Sequence, residues 1–417
     1  MRSAAFTVVL LVACGGRTPL GVRGDGGAAD ASHTEDASVT PSCTWSIGGA
    51  PARVSAEPKD VPGDVGLADA IASANGALVT WITPGDHMHA QTAVARLVGF
   101  DLVSNGDEHV AMRAASVVAP LYGVSLANGF GHAAIAGFDG DACILHPVTL
   151  DGASNGGTTA VSRRACAGTT ATPSGFDVLL SSGRGGPPQL FVQPVDPSGL
   201  ASAQDTLLVE GTDEVVQSAA RATFADRSYL IAAILERPTN GARVVARHFD
   251  AQAVPLAPLR VLAERGDLVA TKLAIAPTGI APALPGALLA WVAFNGHDGH
   301  VEVVPLDLNG EPRSAPRTVA SSAVSVTSIA LTRDTTGGAL LAWSEYGPNP
   351  SSANVLALTA SGAPRGDVLG VPDPVSGAKY APAIEVVATG SRGLVLFEAR
   401  SETTPHRVYA APLTCTP

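Results

Sequence analysis

The chain has 417 residues, a formal net charge of −11, 46% apolar and 15% charged residues, so a large buried core is easily supplied. It carries no Lys/Arg cluster, which makes nucleic acid and anionic lipid headgroups poor partners. Beyond the N-terminus no run of about 18 apolar residues lacks Pro or charge, so no spanning helix is expected there, and aromatics at 5% argue against a large sugar-stacking surface.

Residues 1–13 read as a short export signal, with Arg2 as its positive start and residues 4–13 as its apolar stretch. It ends in Leu11-Val12-Ala13-Cys14, which resembles the bacterial lipobox. The resemblance implies cleavage before Cys14, a thioether-linked diacylglycerol on its sulfur and acylation of the new amine. Several chains anchor firmly, since each buried methylene contributes about 0.8 kcal/mol and one chain alone is marginal. An ordinary secretory signal that happens to contain Cys14 is the other reading. Residues 14–42 form a polar, Gly- and Asp-containing tether that cannot bury enough surface to order itself. Gly15 is not the Asp that retains some lipoproteins in the inner membrane, so the resemblance points to the outer membrane.

Residues 43–417 form one repetitive domain. Gly338-Ala339-Leu340-Leu341-Ala342-Trp343 is nearly repeated at Gly286-Ala287-Leu288-Leu289-Ala290-Trp291 and again at Gly76-Ala77-Leu78-Val79-Thr80-Trp81. Degenerate copies lie at 131–136, 176–181, 229–234 and 393–397, giving seven. Short apolar runs after Gly, between frequent Pro, Gly, Asn and Asp, read as strands buried on both faces. A second strand follows most copies and ends in a turn, as at 150–152, 195–199, 306–310 and 358–362. A third follows that turn, as at 316–320, and a fourth precedes the next copy, as at 324–331.

Four strands per unit and a period of about 50 residues predict a seven-bladed β-propeller. The repeated run is strand b of strands a to d, counted outward from the axis. A tandem of β-sandwich domains and a six- or eight-bladed ring are the alternatives. The last blade runs out of chain, so its outer strand is expected from about residues 52–57. Trp81, Trp291 and Trp343 occupy equivalent positions and read as blade-packing residues rather than a ligand platform.

After Cys14 come Cys43, Cys143, Cys166 and Cys415, an even set that in an exported chain suggests two disulfides. Cys143 opens one strand and Cys166 closes what reads as the next, so they are expected to face each other across one hairpin. Cys43 and Cys415 bound the ordered region and would lock the ring. Free or metal-binding thiols are the alternative, but no C-x-x-C pair exists.

In a propeller the b–c and d–a loops share one face. Asp86, His87 and His89, then His297, Asp298 and His300, and finally His406 all fall in b–c segments and make up the candidate ligand face. Imidazole and carboxylate together can hold a transition metal. Hairpin loops are polar by default, however, and no metal or cofactor is assigned. Residues 138–141 and 307–310 look faintly like calcium loops but lack the ligand ladder and closing Glu, so turn chemistry explains them. Residues 183–188 are Gly-rich, but Pro187-Pro188 forbids a helix start, leaving a b–c turn. No nucleophile elbow, His-Glu-x-x-His helix or phosphate loop is present.

The chain resembles bacterial propeller lipoproteins as a type, and no functionally defined propeller motif is present. The leading expectation is a monomeric, lipid-anchored scaffold that binds an envelope protein or polysaccharide. The alternative is an extracytoplasmic glycan hydrolase or lyase, distinguished by carboxylates and His gathering at the channel mouth with shifted pKa values. A metal-dependent surface protein using His297 and His300 is a third reading.

Overall fold

The computed structural model describes residues 43–416 except 57–62, 87, 104, 118, 120, 130, 183–188, 203, 211–213, 225, 237–240, 266–271, 280–284, 295–298, 323–324, 347–351, 376–378 and 402–403. The expected signal, Cys14 and the tether lie outside the described residues. Every regular element described is a β-strand. β1 (Thr44–Ile47) and β2 (Ala52–Arg53) precede blade 1, which is β3 (Gly66–Ala72), β4 (Gly76–Thr83), β5 (Thr92–Gly99) and β6 (His109–Arg113). Blade 2 is β7 (Tyr122–Gly129), β8 (His132–Phe138), β9 (Cys143–Val148) and β10 (Thr159–Ser162). Blade 3 is β11 (Ala165–Thr172), β12 (Gly175–Ser181), β13 (Gln189–Val195) and β14 (Thr206–Glu210). Blade 4 is β15 (Val215–Thr223), β16 (Tyr229–Glu236), β17 (Ala242–Phe249) and β18 (Arg260–Arg265). Blade 5 is β19 (Leu273–Thr278), β20 (Gly286–Phe294), β21 (Gly299–Asp307) and β22 (Arg317–Ser322). Blade 6 is β23 (Ser325–Arg333), β24 (Ala339–Tyr346), β25 (Ser352–Leu358) and β26 (Leu369–Gly370). Blade 7 is β27 (Lys379–Thr389), β28 (Arg392–Arg400) and β29 (Arg407–Thr416), completed by β1 and β2. The seven sheets are antiparallel, and together they form a seven-bladed β-propeller.

The repeated run is strand b in every blade, and its two faces explain its composition. Alternate side chains of a strand point to opposite faces. In blade 6, Leu341 and Trp343 pack toward blade 5, while Leu340 and Ala342 pack toward blade 7. Seven apolar clusters result, one at each junction between neighbouring blades, including the junction of blade 7 with blade 1. Trp81, Trp291 and Trp343 are buried, each against the preceding blade, in agreement with a packing role. The Gly before the run has a steric cause. A Cβ on Gly76 or Gly338 would fall 2.0 Å from the carbonyl oxygen of Val98 or Leu358.

The c–d turns are tied by their own carboxylates. Oδ1 of Asp307 accepts from the amides of Asn309 and Glu311 at 2.8 Å, and in the b–c turn of blade 2 Oδ1 of Asp139 accepts likewise from Asp141 and Ala142 at 3.0 and 2.9 Å. The two calcium-like stretches are thus Asx-type turns. Arginines on strand c clip adjacent blades together. Arg96 donates to the carbonyls of Gly106 and Val54, and Arg247 to those of Ala257 and Leu208.

Two details differ from expectation. The ring closes chiefly through β1, which runs Thr44↔Thr416 to Ile47↔Leu413 along β29. Of the expected closing stretch Ala52 and Arg53 pair opposite Ala410 and Tyr409, the amides of Val54 and Ser55 donate to the Val408 carbonyl, and Glu57 lies outside the described residues. Gly48-Gly49-Ala50-Pro51 splits the closing segment in two, since Gly weakens a strand and Pro has no amide to donate. Cys43 and Cys415 are bonded, with Cα atoms 5.5 Å apart. Cys143 and Cys166 are also bonded, at a Cα separation of 5.2 Å, but not across a hairpin. The stretch 158–165, read as one strand, breaks after Ser162 at Arg163-Arg164, and Cys166 lies on β11, the inner strand of the next blade. The bond therefore joins blade 2 to blade 3. Two bridges of this kind fit an oxidising, extracytoplasmic compartment.

Candidate functional site: the central channel

The candidate ligand face divides into separate structural contacts. Oδ1 of Asp86 accepts from the amides of Met88 and His89 at 2.7 and 2.8 Å and stands 3.0 Å from Nδ1 of His89, closing a local turn. The Met88 amide foremost holds the Asp86 carboxyl below its ordinary range. His300 lies within β21 rather than in a loop, with Nε2 3.4 Å from Oε1 of the buried Glu302. His406 belongs to the seam between blades 7 and 1. Its amide donates to Asp64 at 2.8 Å, its ring faces Glu398 at 3.6 Å, and Glu398 also accepts from the Leu67 amide. His87, His297 and Asp298 lie outside the described residues. Among the described residues, no group of three or more His, Cys, Asp or Glu side chains is placed to hold a metal ion.

The inner strands β3, β7, β11, β15, β19, β23 and β27 enclose a lumen of about 430 Å³. Its walls are mostly small and apolar, with hydroxyls from Ser125, Thr169, Thr170 and Thr332. Two carboxylates project into it, Asp69 from β3 and Glu385 from β27, on blades that are neighbours only because the ring closes. A β-bulge between Leu67 and Asp69 shifts the register of β3 just before Asp69, and bulges re-aim side chains in this way. Oδ1 of Asp69 accepts from the Ala70 amide at 2.7 Å and Oδ2 from the Leu126 amide of β7 at 2.6 Å, linking the inner strands of blades 1 and 2.

Both carboxyls lie deep in the propeller while keeping part of their surface open to the lumen. Burial pushes Asp69 up to about 6 despite its two amide donors. Burial and then the Asp69 charge push Glu385 well above the usual carboxylate range, and only the Lys272 ammonium opposes them. No described residue donates a hydrogen bond to Glu385. Lys272, just before β19, donates to Oγ of Ser328 at 3.0 Å. Arg221 also borders the lumen, but its guanidinium is engaged by Asp177 at 2.7 Å and lies 3.7 Å from the Tyr229 ring centre.

A pocket of about 270 Å³ where β7, β11 and β15 begin shares Ser125, Gly168 and Ala219 with the lumen and forms its mouth on the b–c face, beside Cys166. The arrangement can accept a hydrogen-bond donor or take up a cation. Asp69 and Glu385 were not among the residues singled out from the sequence. Their signal was there, a lone acid in each of two otherwise apolar inner strands, Gly-Leu-Ala-Asp-Ala-Ile-Ala and Ala-Ile-Glu-Val-Val-Ala.

The sequence matches no protein-family model and no curated protein. Solved structures share the fold at very low identity. A protein of unknown function from Dyadobacter fermentans aligns with a TM-score of 0.50 and 9% identity over 89% of this chain and 98% of its own. Hydrazine synthase from Kuenenia stuttgartiensis aligns with 0.51 and 11% over 84% and 96%. An acylaminoacyl peptidase aligns with 0.51 and 8% over 84% of this chain but only 51% of its own. At such identities the likeness is one of fold alone.

Proposed function

We propose that the protein is a lipid-anchored propeller of the cell envelope, held in the outer membrane through Cys14, and that it acts as a binding scaffold for an envelope protein or polysaccharide. The central channel and its b–c mouth are the recognition surface. One observation carries this reading, a lumen lined by all seven blades into which the carboxylates of Asp69 and Glu385 project. Such a concave site with a few convergent polar groups is the usual form of a ligand pocket. Both disulfides suit an exported chain, and the lipobox-like Leu11-Val12-Ala13-Cys14 supplies the anchor.

The test is co-purification of the tagged protein from envelopes in mild detergent, comparing the parent with Thr332→Phe, which narrows the lumen. A stoichiometric partner lost in the variant supports the reading, and a partner retained by both removes the channel from it. Cys14→Ser should release the protein from the membrane fraction, and continued membrane association would count against lipidation.

The raised Asp69 carboxyl favours one second reading, a glycan hydrolase or lyase, because a carboxyl near neutrality suits general acid–base work. Envelope glycans incubated with the parent and with Asp69→Asn would decide this. Cleavage by the parent alone establishes the enzyme.

A further inference from the structure

We infer that the channel is a receptor for a primary ammonium group, carried by a molecule about the size of a monosaccharide or an amino acid and held by the carboxylates of Asp69 and Glu385, which line one lumen. This rests on the reading of the channel as the recognition surface.

The charges that face Glu385 can be enumerated strand by strand. β3 contributes Asp69, the residue preceding β19 is Lys272, and β15 contributes Arg221, which is occupied by Asp177. Among the described residues, β7, β11 and β23 contribute only the hydroxyls of Ser125, Thr169, Thr170, Ser328 and Thr332. Lys272 is itself bonded to Ser328, and Glu385 receives no hydrogen bond from a described residue. Two carboxylates in a confined space cannot both ionise without a positive partner. Burial raises both carboxyls, so the pair favours bound protons or an added cation over two unpaired charges.

A ligand that brings its own donors and positive charge satisfies both acids together. An ammonium has three N–H donors. The Asp69 oxygens already accept one amide each and have lone pairs left, and Glu385 has its full capacity. The exchange balances: the protonated carboxyl loses its proton to solvent, the ammonium enters with its charge intact, and no covalent bond to the ligand changes. A divalent metal fits less well. Among the described residues no third His, Cys, Asp or Glu completes a metal site, and the Lys272 charge opposes a dication. The body of the ligand would lie in the same lumen, beside the threonine hydroxyls and the small Ala residues of the inner strands. Its volume, about 430 Å³, suits a small molecule.

The experiment is calorimetric titration of the full-length protein with matched pairs, n-butylamine against 1-butanol and glucosamine against glucose, in two buffers of different ionisation enthalpy. Both amines should bind and their neutral partners should not. The buffer dependence should show net proton release on amine binding, larger at pH 5.5 than at pH 8. Affinity should rise between pH 5 and 8, because fewer protons compete. Glu385→Gln should weaken amine binding about tenfold or more, as expected for a lost charged hydrogen bond, and abolish proton release.

The inference is overturned if neither amine binds, if the neutral partners bind equally, or if Glu385→Gln leaves amine binding unchanged. Binding of calcium chloride that excludes both amines and is lost in Glu385→Gln would overturn it in favour of a metal. The channel reading fails separately: it falls if the envelope partner still co-purifies with Thr332→Phe, and it survives if that variant blocks a neutral ligand.

Discussion

Cys143 and Cys166 stand on different blades, with Cα atoms 5.2 Å apart and both side chains buried, so the bond between them fastens strand c of blade 2 to the inner strand of blade 3. The Cys43–Cys415 bond fastens the ring itself. Replacing Cys143 and Cys166 together with Ala should lower the unfolding free energy by about 3 kcal/mol in the chain-entropy model, and removing the Cys43–Cys415 pair should cost more, about 6, since the loop it closes is longer. Urea unfolding of the two double variants checks the order. Non-reducing peptide maps of the parent should link Cys43 only to Cys415.

Asp177→Ala should be among the most damaging single changes outside the blade junctions. Its carboxylate pairs with Arg221 at 2.7 Å, both side chains are largely buried, and Nε of Arg221 has no partner. Truncating the acid strands a buried cation, which costs about 3–5 kcal/mol. Removing the cation as well, in Asp177→Ala with Arg221→Leu, should recover much of that loss. A thermal melt of the two variants beside the parent reads it out, and an equally unstable double variant would contradict the ion-pair explanation.

Glu385→Gln should alter how stability depends on pH. The Glu385 carboxyl is raised in the folded protein, so the native state holds its proton where the unfolded chain has released it. Stability from this group is fully present below the ordinary carboxylate range and is lost as pH rises through the raised value. Asp69 behaves likewise, between its ordinary value and about 6. Relative to the parent, Glu385→Gln should therefore gain stability with rising pH, with no advantage near pH 4 and the largest near pH 8. Urea midpoints at the two pH values measure this, and a constant difference would show that Glu385 is not raised.

Gly338→Ala tests the steric reading of the repeat. The new methyl would press against the backbone carbonyl of Leu358, which β-sheet pairing holds in place. Overpacking of this kind costs about 1–3 kcal/mol. Gly366→Ala would meet open space but has φ +90, so it should suffer backbone strain without a clash. Trp291→Ala, by contrast, empties the junction of blades 4 and 5 and should cost about 3–5 kcal/mol. Chemical denaturation of the three variants ranks them.

The sequence by itself pointed to a propeller with seven repeats, to the identity of strand b and to the partners in both disulfides, while the blade count was settled by the seven sheets. Those features come from local signals repeated at even spacing: apolar runs after a Gly that cannot bear a Cβ, Asp-led turns, and cysteines at the ends of strands. Only the tertiary structure decided which blade Cys166 belongs to, because the break at Arg163-Arg164 looks no different in sequence from a continuous strand. It also decided that the closing strand is split by Gly48 and Pro51, and that His300 and His406 serve as neighbours of Glu302 and Glu398. Above all it brought Asp69 and Glu385 into one lumen. They lie near opposite ends of the domain, and each alone is an unremarked acid in a short strand. Their meeting depends on ring closure through β1 and β29 and on the bulge before Asp69, long-range geometry that no local pattern encodes.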